Sequence, residues 1–208
     1  SCGPSTMTST TVTVNPQPGT PTPIVGTTSR CRGAGTSLYT TSSTDATSYT
    51  WSVTGTGNSI SGTGTTGTVT WAAGFSGTAV VSVTASNACG TSTSTSTTVT
   101  VNPLPGVPAA PSGITVRCQG AGSSTYTTTA TNATSYTWSV TGSGNTVSGT
   151  GTIGTVTWAA GYAGTAVVSV TATNACGTSV ASSTSVVVNP LPGVPTAPSG
   201  TTVRCQEA

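Results

Sequence analysis

The chain has 208 residues, only 3% of them charged, with a net charge of +2 and no histidine. Ordinary globular proteins are roughly 25% charged. The composition therefore excludes histidine-dependent acid–base catalysis, paired-carboxylate hydrolysis and a basic phosphate-binding track for nucleic acid. Its cations are Arg30, Arg32, Arg117 and Arg204, set against Asp45 and Glu207, and lysine is absent. Threonine (52) and serine (30) together fill 82 positions, so the surface is hydrated through hydroxyls. Such a surface offers little electrostatic repulsion between copies, which favours self-association. Disorder goes with low hydropathy and high charge together, and charge is missing here. No apolar run approaches the 18 residues of a membrane span, so membrane insertion is not expected.

In chain order, Ser1-Cys2-Gly3 matches Ala88-Cys89-Gly90, and VNPQPGTPTPIVG follows at 14–26. Residues 1–26 thus read as the closing strand and connector of a preceding, incomplete repeat. The next stretch, 27–112, holds a complete repeat with its connector. One strand surrounds Tyr39. Tyr49, Trp51 and Val53 share a face of the next, whose other face is Ser and Thr. Gly55–Gly67 is punctuated by glycine and leaves room for one short edge strand. Val69 and Trp71 lie on a further strand, TAVVSVTASN (78–87) is the longest, and 91–101 closes the domain.

A second copy occupies 113–199. Its opening strand alternates Ile114, Val116 and Cys118, and Trp138, Trp158 and Tyr136 repeat Trp51, Trp71 and Tyr49. Residues 31–101 and 118–188 differ at 18 of 71 positions, and Cys31, Cys118 and Cys205 recur every 87 residues. Residues 200–208 read as the opening strand of a following repeat. The chain is thus expected to be a window on a longer array, with Cys2 and Cys205 unpaired. Twelve of the thirteen prolines fall in 14–26, 101–113 and 188–200. They mark extended, semi-rigid connectors. About seven short strands per repeat, with no helical period, predict an antiparallel β-sandwich.

The predicted core is thin, resting on Trp51, Trp71, Trp138, Trp158, Tyr49 and Tyr136 plus small aliphatics. Small exported domains often compensate with disulfides. Cys31 to Cys89 and Cys118 to Cys176 each span 58 positions, so these two pairs are the expected structural bonds and export is the expected localisation. No catalytic, cofactor-binding or metal residue emerges. Zinc would need a Cys-x-x-Cys cluster, calcium several carboxylates, and Gly55-Thr56-Gly57-Asn58 lacks the lysine and helix of a phosphate loop. Trp51 and Trp71 offer sugar-stacking rings, but alternation turns them inward. The Thr91–Thr97 run, TSTSTST, has the regular hydroxyl spacing of a water-ordering surface, yet reads TSVASST in the second repeat. Hydroxyl glycosylation is the more plausible modification, and Asn132-Ala133-Thr134 fits an N-glycan acceptor that Asp45 removes from the first repeat.

The first-strand cysteine, TSYTWSVTG, VVSVTATNACG and VVVNPLP together resemble the PKD-like repeats of bacterial surface proteins, an immunoglobulin-like subgroup abundant in the Bacteroidota. The most specific parts are Tyr136-Thr137-Trp138 and Asn174-Ala175-Cys176-Gly177. The resemblance implies tandem immunoglobulin-like sandwiches, secretion, and a stalk, fibre or adhesin role. The acidic turn of PKD domains proper is replaced by Trp138-Ser139-Val140-Thr141-Gly142. Two functions are expected from this: a non-catalytic module of an extracellular filament, whose partners are copies of itself, or an adhesin module recognising a surface glycan. Bland, near-identical loops in the two copies favour the first.

Overall fold

The computed structural model describes residues 2–200, 202, 203, 205 and 206. Ser1, and Thr201, Arg204, Glu207 and Ala208 of the opening strand expected at 200–208, lie outside the described residues. The chain divides into two compact units, Ser1–Leu104 and Pro105–Ala208.

Unit 1 contains β1 (Val25–Gly26), β2 (Ser29–Cys31), β3 (Gly35–Thr40), β4 (Ser48–Val53) and β5 (Ser59–Ser61). These are followed by β6 (Thr66–Trp71), β7 (Gly77–Asn87), β8 (Gly90–Thr91) and β9 (Thr95–Asn102). One sheet runs β1-β3-β6-β5, and the other runs β2-β9-β7-β4 with β8 on the end of β7. Unit 2 repeats the plan. Its strands are β10 (Ser112–Gly113), β11 (Val116–Cys118), β12 (Ser123–Thr127), β13 (Ser135–Val140) and β14 (Thr146–Ser148), then β15 (Ile153–Thr157), β16 (Gly164–Asn174), β17 (Gly177–Thr178) and β18 (Ser182–Asn189). All pairings are antiparallel except β2 with β9 and β11 with β18, which are parallel.

The core follows from period-two alternation. Along β7, Ala79, Val81, Val83 and Ala85 are all buried, and in β9 so are Val99 and Val101. They meet Tyr39, Val69 and Trp71 of the opposite sheet in one cluster that includes Tyr49 and Trp51, and unit 2 has the equivalent cluster. The outward positions are hydroxyls in register: Ser52 lies opposite Ser82, and Ser82 opposite Ser96.

Alternation misleads in the opening strand. Ile114 and Val116 are exposed, whereas Arg117 is buried. The inward position is filled by the arginine stem and guanidinium.

The connectors also differ from free spacers. Pro18 and Pro21 are buried in unit 1, as are Pro105, Pro108 and Pro111 in unit 2. That period of three is the polyproline turn, which sets every third residue on one face. The intervening N–H groups donate to the body of the unit: Gly19 to Thr44 O (3.0 Å), Thr22 to Ser42 O (2.8 Å), Gly106 to Thr131 O (2.8 Å) and Ala109 to Thr129 O (2.9 Å). From the other sheet, Thr95 Oγ1 donates to Pro21 O (2.6 Å) and Ser182 Oγ to Pro108 O (2.6 Å). The connectors at 14–26 and 101–113 are therefore straps across both sheets of the unit that follows.

Candidate functional site: the ends of the repeats

Each unit takes in the chain at one end and releases it at the other. In unit 1 the incoming segment lies against the β7–β8 turn, where Asn87 Nδ2 donates to Pro16 O (2.9 Å) and Gln17 Nε2 to Cys89 O (3.3 Å). In unit 2, Gly106 is bonded to Thr131, and Asn174 Nδ2 donates to Asn132 O (2.8 Å). The Asn174–Gly177 turn thus marks the entry end. Exit is at the opposite end, where Cys31 is in register with Asn102 and Cys118 with Asn189.

This layout separates the expected disulfide partners. Gly77, at the start of β7, pairs with Val101 next to the exit end, whereas Asn87, at its finish, precedes the Cys89 turn. Ten rises of about 3.3 Å place the two ends on the order of 33 Å apart. A disulfide needs Cα atoms roughly 4.4–6.8 Å apart. The bonds Cys31–Cys89 and Cys118–Cys176 are accordingly not formed. Cys31 and Cys176 are disulfide-bonded, while Cys89 and Cys118 are free and exposed. Equal sequence spacing in two repeats reports the repeat length and nothing about proximity. Cys2 and Cys205 are free as well.

The six core aromatics sit where no ligand can reach their faces. Trp51, Trp71, Trp138 and Trp158 are at most 8% exposed, and Tyr49 and Tyr136 are equally buried. Trp51 Nε1 donates to Gly64 O (3.0 Å), Trp138 Nε1 to Gly151 O (3.0 Å) and Trp71 Nε1 to Ser37 Oγ (2.9 Å). Sequence reasoning missed the cations that cover two of them. Arg30 Cζ lies 5.1 Å from the Trp71 ring centroid, and Arg117 Cζ lies 5.0 Å from that of Trp158. The Arg-Cys pair in the opening strand of both repeats (Arg30-Cys31, Arg117-Cys118) was the available signal.

Arg117 Nη1 donates to Ser124 Oγ (2.6 Å) and Nη2 to Gly122 O (2.8 Å), leaving Nε without a partner. Two phenols lie near these cations. Burial pushes Tyr39 and Tyr126 above the ordinary value of 10.0, against smaller downward pulls from Ser37 and Arg30, and from Arg117 and Ser124.

The threonine run at Thr91–Thr97 is not a free array. Thr91 shares a hydrogen bond with Ser86, Thr93 with Thr20, and Thr95 donates to the strap. At the entry end of unit 1 a cleft is lined by Asp45, Thr47, Asn87 and Cys89, but Asn132 stands where unit 2 would need the carboxylate. Among the described residues, no group of three or more His, Cys, Asp or Glu gathers to hold a metal ion. Among the described residues, no helix is long and apolar enough to cross a membrane.

The family model for the PKD-like domain matches this chain twice, over residues 17–99 and 104–186. The chain belongs to the PKD-like domain family. Both matches begin inside the strap rather than after it, in keeping with straps that are part of the domain they precede. No curated protein matches the sequence. Among solved structures, the I67–I69 I-band fragment of titin is similar, at 17% identity and a TM-score of 0.51 over 81% of this chain and 66% of that one. The Escherichia coli adhesin FdeC aligns at 17% identity and a TM-score of 0.45, over 79% of this chain and 63% of that chain. The chain thus spans slightly less than two thirds of these relatives, and identities this low bear on the fold alone. PKD-like and immunoglobulin-like domains are typically non-catalytic, and with a disulfide they point to the cell exterior.

Proposed function

We propose that these PKD-like repeats are a structural module of an extracellular filament, stalk or surface array, of the kind carried by bacterial surface proteins. The observation that carries the reading is the passage of the chain through each unit from one end to the other. The opening strand runs parallel to the closing strand at the exit. Tension applied along the chain therefore pulls β2 and β9 in opposite directions along their length. The ladder between them is sheared as a block instead of being opened one bond at a time.

Surface chemistry supports the same reading. Both copies present uncharged hydroxyl rows, so lateral neighbours meet no like charge. Copies of the chain are the proposed partners.

Electron microscopy of the material in its native setting tests this, with a regular axial repeat expected along fibres. Dispersed monomers, together with selective binding to one class of surface glycan on a glycan array, would replace it with the adhesin reading. The entry-end cleft of unit 1 would then be the first place to look.

A further inference from the structure

We propose that the outward face of the five-stranded sheet of unit 2 is a lateral docking surface for a second copy of this chain, which packs on it with the same face. The inference deepens the structural reading above and rests on it. Ile114, Val116 and Val187 are 58%, 60% and 40% exposed. Unit 1 has Thr27, Ser29 and Thr100 at the equivalent places. All three differences replace a hydroxyl with an aliphatic side chain, and they gather at one place. Val116 is in register with Val187, and Val187 N–H donates to Thr115 O (2.8 Å), which ties the stretch carrying Ile114 to β18. Val187 pairs with Thr165 of β16, and two residues on, the half-buried Val167 faces outward between the buried Ala166 and Val168. A contiguous apolar patch on an otherwise hydroxylated surface marks an interaction site.

The patch lies on the side of the sheet. Thr27, Ser29 and Thr100 are exposed in unit 1, where the chain runs on into another unit. Continuation of the chain past a unit therefore does not by itself cover this face.

Charge and area both select the partner. Among the described residues of unit 2 the one charged side chain is Arg117, and it is buried. A charged partner would find no counter-charge on this face, whereas the face meets no repulsion from itself. Thr165, Ser183 and Ser185 stand exposed around the patch. A hydroxyl both donates and accepts, so such a rim is complementary to itself. Hydroxyl pairs of this kind already form within the chain, as between Thr173 Oγ1 and Thr178 Oγ1 (3.0 Å). The aliphatic patch alone is too small for a stable interface, which takes roughly 800 Å² per partner. The whole face comes close. Four strands abreast at about 4.8 Å, with the 11 residues of β16 as the length, span roughly 700 Å². A partner must therefore match a flat, uncharged, hydroxyl-bearing sheet, and a second copy related by a two-fold axis does so.

Sedimentation velocity on the full chain tests this, with Cys2→Ser, Cys89→Ser, Cys118→Ser and Cys205→Ser so that thiol exchange plays no part. A reversible monomer–dimer equilibrium is expected. Ile114→Thr, Val116→Ser and Val187→Thr together should weaken it at least about tenfold. Each of these restores the residue that unit 1 carries at that place, so the fold should be kept, and an unchanged melting temperature checks it. The reverse set, Thr27→Ile, Ser29→Val and Thr100→Val, gives the chain a second patch and should produce species beyond the dimer. A chain that stays monomeric up to about 1 mM, or a dimer that the triple variant leaves unchanged, would overturn the contact. Fibres of regular axial repeat formed equally well by the triple variant would also overturn it, while leaving the structural reading standing. Monomers that bind one class of surface glycan would remove both.

Discussion

The guanidinium of Arg117 covers the face of Trp158, 5.0 Å from its centroid, and among the described residues its hydrogen-bond partners include no carboxylate. The cation is held by the ring and by two neutral acceptors, Ser124 Oγ and Gly122 O. A cation over tryptophan is worth about 0.5–2 kcal/mol, more when desolvated, and the aliphatic stem adds packing. Arg117→Ala should therefore lower the stability of unit 2 by about 2 kcal/mol in urea unfolding followed by tryptophan fluorescence. Arg117→Met keeps the stem and removes a buried charge whose Nε has no partner, so its cost should be clearly smaller. Arg30, half-buried over Trp71, should lose less on truncation than Arg117 does. Equal losses for Ala and Met at 117 would show that charge, not packing, is the larger contribution.

Thiol accessibility gives a direct chemical check. Alkylation of the folded, unreduced chain should label Cys89 and Cys118 and spare Cys31 and Cys176. Labelling of Cys31 to the same extent as Cys118 would contradict the bonding described.

Much of this was legible in the sequence, for identifiable reasons. The alternation of Val81, Val83 and Ala85 and the placing of Trp51 and Trp71 inward are local consequences of strand geometry. Disulfide pairing is not local. It depends on which end of the sheet each cysteine reaches, and that was set by the unseen parallel pairing of β2 with β9. The straps were hidden for another reason. Polyproline has no internal hydrogen bonds, so PLPGVPAAPSG looks like a spacer until the N–H groups of Gly106 and Ala109 find carbonyls in unit 2. Arg117 was hidden because a buried cation over a ring breaks the apolar alternation by which inward positions are recognised.

Glycine marks one contact that a methyl group cannot share. A Cβ on Gly67 would lie 2.5 Å from Trp51 Cδ2, whereas one on Gly74 would meet nothing within 4 Å. Gly67→Ala should therefore destabilise unit 1 by about 1–3 kcal/mol through overpacking. Gly74→Ala should stay within about 0.5 kcal/mol. Thermal scans of the two variants compare them directly, and equal melting temperatures would mean that the Trp51 ring moves aside freely.

Stability should respond to pH almost solely at the alkaline end. With two carboxylates and no histidine, acid has little to titrate. Burial raises the phenols of Tyr39 and Tyr126 above 10.0. In the unfolded chain these groups lose their protons first, so above about pH 10 the unfolded state binds fewer protons than the folded one. Their contribution is fully present below that pH and is lost as pH rises through the folded values. Urea midpoints should be flat from acid to about pH 9 and fall beyond it. A decline beginning near neutrality would point to a group other than these phenols.

Tension along the chain should meet resistance at the parallel ladders. In unit 1, Thr100 N–H donates to Thr28 O (2.9 Å) and Arg32 N–H to Asn102 O (2.7 Å); in unit 2, Val187 N–H donates to Thr115 O (2.8 Å) and Gln119 N–H to Asn189 O (2.8 Å). Pulling loads these bonds together, because the two strands slide past one another in register. Single-molecule extension under reducing conditions should show two unfolding events. Each should release the roughly 75 residues between the ends of the ladder, on the order of 250 Å at about 3.3–3.6 Å per residue. Thr100→Pro removes the N–H that faces β2 and leaves the ladder of unit 2 whole. One event should then move to lower force while the other keeps its original value. If both keep their force, the resistance lies elsewhere, and the strap anchored at Gly19 and Thr22 becomes the element under load.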